Sequence, residues 1–327
     1  DCTVYFFNKP SSSGYRAPYQ IDSFTIVDLP DSRLLQILIS IYFSLKWKIE
    51  IMHMHGFSLA AIVASIMLRS KSILKTTLIG YDDFETWSKS TAGRLKIYFL
   101  KFVDVNVALT RRSFDINSKY SQNVVVKKIP NGINLSAVLT TEKDNIFCIV
   151  GIIHQRKRTF EAIQYFIDNY TYHGKSMLYI VGPLANDDNL DEFSDAYINQ
   201  CRKLVHENQL EAKVKFTGKL PKEEVQKIYQ KSMGLIFFSS AEGMPNVVLE
   251  ALGNNCVPIM TDLDGDAYDI IEDDIEGFII KEFTKSIPLG DIQKLLKSGN
   301  VYKRASHLSF QNVAAKYTQL YRQLNNG

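Results

Sequence analysis

Short apolar runs alternate with segments of helical periodicity along nearly the whole chain, the pattern of an α/β protein. In the first half, runs at 3–7, 24–28, 49–53, 74–79, 103–109 and 123–126 read as strands. Helical patterns lie between them at 31–47, 57–68 and 91–102. Asp31 is placed to cap the first helix, and Thr110 ends a strand as a helix cap. The second half is sharper. It predicts strands at 146–150, 176–181, 214–216, 235–238, 257–260 and 277–280, with helices at 159–170, 187–208, 221–231, 246–254 and 266–272. A closing helix at 310–324 puts Val313, Tyr317, Leu320, Tyr321 and Leu324 on one face. A turn-rich segment at 129–134 and a soft linker at 137–145 separate the halves. The expected division is a first domain at 1–137, a second at 138–307, and a closing helix at 308–327.

The composition, 46% hydrophobic and 22% charged, is that of a globular protein with room for two domains. The net charge of +3 hides an asymmetry. Residues 1–137 carry 17 Lys and Arg against 10 Asp and Glu, net +7, and the remainder carries 21 against 25, net −4. A basic first half suits an anionic partner such as a membrane surface or a lipid-linked phosphate; uneven solvated charge explains it equally well. Cys2, Cys148, Cys201 and Cys256 lie far apart without metal-ligand spacing, and a reducing compartment is the natural reading. The most apolar helical stretch, 34–45, is too short to span a bilayer and is interrupted by Gln36, Ser40 and Ser44. No signal-peptide pattern opens the sequence. Basic residues are not interleaved with aromatics, so no nucleic-acid partner is expected.

Residues 235–258 hold the densest candidate chemistry. An apolar strand leads into a polar loop, Pro245 can open a helix at its first position, and a second apolar strand follows. The loop lies at a strand's carboxyl end and a helix amino terminus, where free N–H groups favour an anion. Glu242 in the loop and Glu250 on the helix flank it. The segment 151–158 follows the strand 146–150 and is rich in cations. Cations there can serve as charge-assisted donors to an anion, and only one of Arg156 and Arg158 can point inward with Lys157. His53 and His55 share one face of a strand, but no third ligand is placed, so they read as wall residues of a cleft rather than a metal pair. Asp262 and Asp264 form an Asp-x-Asp that reads as loop and helix cap.

Glu242-Gly243, Pro245, Glu250-Ala251 and Gly253, with Cys256-Val257-Pro258-Ile259 after them, resemble the signature of the GT-B glycosyltransferases, specifically the retaining family four. Ile129-Pro130-Asn131-Gly132-Ile133-Asn134, Lys157, Gly218-Lys219-Leu220, Gly277-Phe278-Ile279-Ile280 and His53-x-His55-Gly56 are similar to further family segments. The resemblance spans nearly the whole chain and is specific in the second half. It implies two Rossmann-like domains facing across a cleft, with the last helix packing back on the first. It also implies transfer of a sugar from a nucleotide-sugar to an acceptor hydroxyl, with retention and without a metal.

In that reading Glu242 and Lys157 are catalytic. Donor binding falls to Arg156, Arg158, Gly182, Gly218, Leu220, Gly243, Met244, Pro245, Asn246, Val247 and Glu250. The acceptor side of the cleft takes His53, His55 and Gly80. No resident cofactor is expected; a UDP- or GDP-sugar is the co-substrate. The acceptor would be a polysaccharide or lipid-linked sugar of the cell surface, met in the cytoplasm at the inner face of the membrane. The sequence departs from the family at Ile79, where a His is common, at Ile152, where the family has Arg, and at Asn134, where Asp is usual. The strand at 3–7 resembles the family's second strand, so roughly 40 residues, one βαβ unit, are expected to precede it in a parent protein. The competing reading makes 3–7 the first strand and Ser11-Ser12-Ser13-Gly14 its phosphate turn. The alternatives to a transferase are a non-catalytic partner of the same fold and a sugar-nucleotide epimerase.

Overall fold

The computed structural model describes residues 3–8, 15–121, 124–136, 140–172, 174–185 and 193–326. Cys2, the Ser11–Gly14 turn, Asn123, the linker positions 137–139 and the helix start expected at 187–192 lie outside the described residues. The chain divides into two compact units. The first comprises Asp1–Ala108, Ser113–Lys128 and Thr318–Gly327; the second comprises Leu109–Arg112 and Ile129–Tyr317.

The first unit contains β1 (Tyr5–Asn8), β2 (Arg16–Ile21), β3 (Phe24–Asp28), α1 (Arg33–Trp47), β4 (Ile51–His55), α2 (Leu59–Leu68), β5 (Lys71–Lys75), α3 (Phe84–Ser88), α4 (Thr91–Leu100), β6 (Val105–Ala108), α5 (Arg111–Tyr120, whose first two residues belong to the second unit) and β7 (Val125–Lys128). Among the described residues its strands form two sheets, β1-β3-β2 and an all-parallel β4-β5-β6-β7, where the sequence leads to one. β2 and β3 form an antiparallel hairpin that the apolar pattern does not show. Pro18 is tolerated there because β2 is an edge strand, and the register shifts between Arg16 and Tyr19. Val27, Leu29 and Phe43 form a small core, against which Trp47 stacks between Phe43 at 4.7 Å and Tyr5 at 4.2 Å. Met54, Ile62, Leu74, Phe84 and Trp87 anchor a second core.

Three local expectations change. Ser32, not Asp31, occupies the N-cap of α1, and it makes no side-chain cap bond. β4 lies two residues later than expected, at Ile51–His55, and β5 ends at Lys75 rather than at 79. The apolar run beyond Lys75 leaves the ladder because the Asp82 carboxylate captures the amides of Thr77 (2.8 Å) and Leu78 (2.6 Å). A buried side chain fixes the next helix: Asn117 Oδ1 accepts from Phe84 N at 3.0 Å, and its Nδ2 donates to Thr76 Oγ1 at 2.8 Å and Asn106 Oδ1 at 2.9 Å.

The second unit follows with β8 (Ile146–Val150), α6 (Thr159–Tyr170), β9 (Met177–Val181), α7 (Asp195–Glu207), β10 (Val214–Gly218), α8 (Lys222–Lys231), β11 (Gly234–Phe237), α9 (Asn246–Gly253), β12 (Val257–Thr261), α10 (Ala267–Ile270), β13 (Phe278–Ile280), α11 (Leu289–Ser298), α12 (Asn300–His307) and α13 (Phe310–Asn325). Among the described residues its six strands form one parallel sheet in the order β10-β9-β8-β11-β12-β13. The central strands are apolar on both faces because helices cover both. The helix expected at 266–272 is a single turn, Ala267–Ile270, and α11 and α12 were not visible as helices in the apolar pattern. α13 buries Val313 and Leu320 and half-buries Tyr317, Tyr321 and Leu324, the face that the periodicity predicts. Its last turns, from Thr318, belong to the first unit. Among the described residues no helix is long and apolar enough to cross a membrane.

The Asp-x-Asp segment forms a tight turn: Asp262 Oδ1 accepts from Gly265 N at 3.0 Å. Beside it, Asp266 is buried, and burial pushes its carboxyl up to about 6 although Arg112 lies 3.7 Å away. Between its ordinary value near 3.8 and 6 the folded protein holds a proton that the unfolded chain releases. This contribution to stability is therefore full below the window and is lost as pH rises through it. Asp266→Asn is expected to abolish that slope and to be about 1–3 kcal/mol more stable than wild type at pH 7. Urea unfolding of both proteins at pH 4.5 and pH 7 checks this; a constant difference between them counts against it.

Candidate functional site

The chain runs from β8 outward to β9 and β10, then crosses back to β11 on the other side of β8. Strand order thus reverses between β8 and β11, the place where open parallel sheets bind ligands at the strands' carboxyl ends. The loops after these two strands are tied together. Ser240 donates to Arg156 O from its amide at 2.8 Å and from its hydroxyl at 3.1 Å, and Arg156 Nη1 donates to Ala241 O at 3.0 Å.

Both loops deliver their charged groups to one carboxylate. Glu242 Oε1 accepts from Arg156 Nη1 at 2.8 Å, from Ser239 Oγ at 2.8 Å and from Lys157 Nζ. The Arg156, Lys157 and Glu242 side chains are only 21%, 19% and 15% exposed. Two cations face one anion, so the cluster keeps a positive charge in a partly desolvated place. Of the two arginines left open by the sequence, Arg156 turns inward. Arg158 adopts φ +49° between the short 3₁₀ turn Gln155–Lys157 and α6, which carries its guanidinium to 5.6 Å from the Phe283 ring.

Glu250 has a separate partner. Its Oε2 accepts from the buried Tyr229 hydroxyl at 3.3 Å, and burial raises its carboxyl above the ordinary range. Pro245 stands at the N-cap of α9 rather than at its first helical position, and its missing N–H still costs nothing there. Gly243, Met244 and Pro245 are buried, Val247 is half-buried and Asn246 is exposed. Asn131 holds this loop from the turn-rich segment: its Nδ2 donates to Met244 O at 3.3 Å and Asn246 Oδ1 at 2.9 Å.

Gly182 and Gly218 sit at the carboxyl ends of β9 and β10, on the same edge as Lys157 and Glu242. A Cβ on Gly182 would lie 2.0 Å from Gly151 O, so only glycine fits. Gly218 takes φ +79° and accepts at its carbonyl from Gly182 N at 3.2 Å. Leu220 follows, half-buried, just before α8.

In the first unit, His53 and His55 lie on β4 with ring centroids 5.1 Å apart, and His53 Nδ1 is 2.9 Å from Tyr321 Oη. Lys75 on β5 is directly opposite His55. Burial, then the neighbouring His55 and Lys75, pulls the His53 imidazole down to about 4, and burial lowers Lys75 as well. Gly80 takes φ +87° in the turn after β5, where its amide donates to Asp83 Oδ2 at 2.6 Å.

The sequence reading missed Ser239, Tyr229 and Lys75. Ser239 had a signal, a hydroxyl three residues before Glu242, and so did Lys75, a charge inside an apolar run. Tyr229 had none, because its pairing with Glu250 spans two helices.

No curated protein matches the sequence. Solved structures resemble the fold at low identity. The pneumococcal O-GlcNAc transferase GtfA, solved with UDP and GlcNAc, is 13% identical with a TM-score of 0.66, over 88% of this chain and 60% of that one. Sucrose-phosphate synthase of Thermosynechococcus elongatus is 15% identical with a TM-score of 0.70, over 99% and 89%. HepE of Anabaena, solved with UDP-glucose, is 13% identical with a TM-score of 0.68, over 99% and 100%. The chain thus spans three-fifths of the pneumococcal transferase and most or all of the other two. The shared fold is GT-B. The family model of the glycosyl transferases group 1 matches residues 134–309, more than half of the sequence and all of the elements that carry Lys157, Glu242 and Glu250. The chain belongs to the glycosyl transferases group 1.

Proposed function

We propose that the protein transfers a sugar from a nucleoside-diphosphate sugar to an acceptor hydroxyl, with retention and without a resident metal or cofactor. One observation carries the proposal: Arg156 and Lys157 converge with Glu242 at the strand-order reversal of a parallel sheet. The leaving diphosphate gains negative charge as the glycosidic bond breaks, and fixed cations in a partly dry site stabilise that charge. The arginine side chain that Ile152 lacks is replaced in this reading by Arg156. Glu250 accepts from the ribose hydroxyls, and Glu242 orients the sugar. Gly182, Gly218 and Leu220 border the base, while the amides of Gly243–Val247 and Arg158 complete the donor side. His53, His55 and Gly80 belong to the acceptor side. The acceptor is a lipid-linked or polysaccharide sugar of the cell surface, reached at the cytoplasmic face of the membrane by the basic first half. The uridine nucleotides in the pneumococcal and Anabaena structures support testing UDP first.

Thermal-shift titration with UDP, GDP, ADP and their sugar conjugates tests this reading. A ligand at about 100 times its Kd is expected to add about 2.7 kcal/mol of stability. A shift with one base only would identify the donor, and product analysis would then distinguish a glycoside from a free epimer. Absence of a shift with every nucleotide counts against the proposal.

A further inference from the structure

Helix α1 is turned against the usual sense. Its inward face buries Ser40 and Ser44 beside Phe43, while Leu34, Leu38, Tyr42 and Leu45 are 67%, 53%, 58% and 59% exposed. These four positions share one stripe of the helix, roughly 16 Å long. A helix that faces only water carries its serines outside and its leucines inside. The apolar exposure continues on neighbouring helices. α1 packs against α2, which exposes Ile66 and Met67. β4, β5 and β6 are parallel neighbours in chain order, so right-handed crossovers place α2 and α4 on one face of their sheet. α4 and the turn after it expose Leu95, Tyr98 and Phe102. Apolar exposure on this scale marks an interaction surface.

The charges of this helical layer define its partner. α1, α2 and α4 contain no Asp or Glu. Arg33 and Lys46 stand at the two ends of α1, Arg94 lies on α4, and Lys101 closes it. The short α3 before α4 carries Glu85, which Lys89 neutralises at 3.1 Å. The Lys101 ammonium lies 3.8 Å from the centre of the Tyr98 ring and 4.8 Å from that of Phe102, a charge at the border of the apolar surface. The bias is not a trait of the whole chain, because α7 and α8 of the second unit carry Asp195, Glu207, Glu223 and Glu224. Leucines and aromatic rings bordered by cations match the boundary of an anionic bilayer, where acyl chains take the first and lipid phosphates the second. A second copy of the chain would instead bring the same cations face to face. With 15 residues, α1 is about 22 Å long, shorter than the hydrocarbon core, so it lies along the bilayer rather than across it. We propose that this face of α1, α2 and α4 docks on an anionic lipid bilayer, with the Leu34–Leu45 stripe, Leu95 and Phe102 below the headgroups and Lys46, Arg94 and Lys101 among the phosphates. The proposal deepens the reading of a membrane-borne acceptor and rests on it for its purpose.

Vesicle flotation without nucleotide or acceptor tests the docking by itself. Phosphatidylcholine vesicles would be compared with vesicles that also contain phosphatidylglycerol. Wild type is expected to bind the anionic vesicles at least about tenfold more tightly. Leu38→Glu/Leu45→Glu on α1 and Arg94→Glu/Lys101→Glu on α4 are each expected to weaken that binding at least about tenfold. All four side chains are exposed, so both variants should keep the wild-type melting temperature. Lys157→Ala, in the other unit, should float as wild type does. The proposal is overturned if wild type binds neither kind of vesicle, which would leave the face to a protein partner, or if both double variants bind as wild type does. Equal binding to the two kinds of vesicle would overturn the anionic assignment. A wild-type dimer in sedimentation without lipid, dissolved by Leu38→Glu/Leu45→Glu, would give the face to a second copy. A nucleotide-induced thermal shift without vesicle binding would sink this proposal alone, whereas vesicle binding without any nucleotide shift would support it and sink only the donor reading.

Discussion

Lys157→Ala is expected to lower sugar transfer by about 10²–10³-fold, the usual loss when one preorganised donor to a developing anion is removed. The lysine is held in place before any ligand arrives. Its ammonium meets Glu242 and lies 5.5 Å from the Phe237 ring, and the backbone of Arg156 is fixed by two bonds from Ser240. In the proposed reaction little reorganisation would then be needed as charge moves onto the leaving diphosphate. The fall should appear mainly in kcat, because the charge grows as the bond breaks. In binding experiments the same variant should lose affinity for UDP and keep its affinity for uridine. Equal losses for nucleotide and nucleoside would remove Lys157 from the phosphate role and leave it as a structural partner of Glu242. The neighbouring Arg156 donates to the same carboxylate oxygen, so a double variant should lose less than the product of the two single losses.

The sequence was most legible where a strand is central and a helix covers it. The limits of β8 and α6 agree with the apolar pattern at both ends. Legibility failed where a polar side chain redirects the backbone. The run 74–79 looks like a strand by apolarity alone, yet Asp82 takes two of its amides and β5 stops at Lys75. β2 escaped notice because it is mostly exposed and carries Pro18, so it lacks the alternation that marks a half-buried strand. The candidate site was readable as a set of residue types at strand ends. Its partnerships were not. Lys157 and Glu242 lie 85 positions apart, and only the strand order, which local periodicity does not encode, brings their loops together. The choice between Arg156 and Arg158 was likewise settled by one left-handed residue.

The second large effect is expected at Lys143, within a stretch that reads as a soft linker. Its ammonium donates to three carbonyls, Tyr229 O, Ser232 O and Asn254 O, each at 2.9 Å. Tyr229 and Ser232 close α8, and Asn254 closes α9, so one cation caps the carboxyl ends of two helices at once. Those ends converge next to β8 and the buried Cys148 and Cys256, where water has little access. Lys143→Ala would leave buried carbonyls unpaired and is expected to destabilise the second unit by about 3 kcal/mol. Lys143→Met keeps the apolar stem and removes only the charge and its bonds. If the helix ends are the reason, Met should lose nearly as much as Ala; if stem packing is the reason, Met should recover most of the loss. Denaturant unfolding of the three proteins distinguishes the two. α9 also carries Glu250, so the loosened variant should bind UDP more weakly although Lys143 itself makes no contact with the candidate site. Unchanged stability in both variants would return 140–145 to the status of a tether and assign the capping of α8 and α9 to solvent.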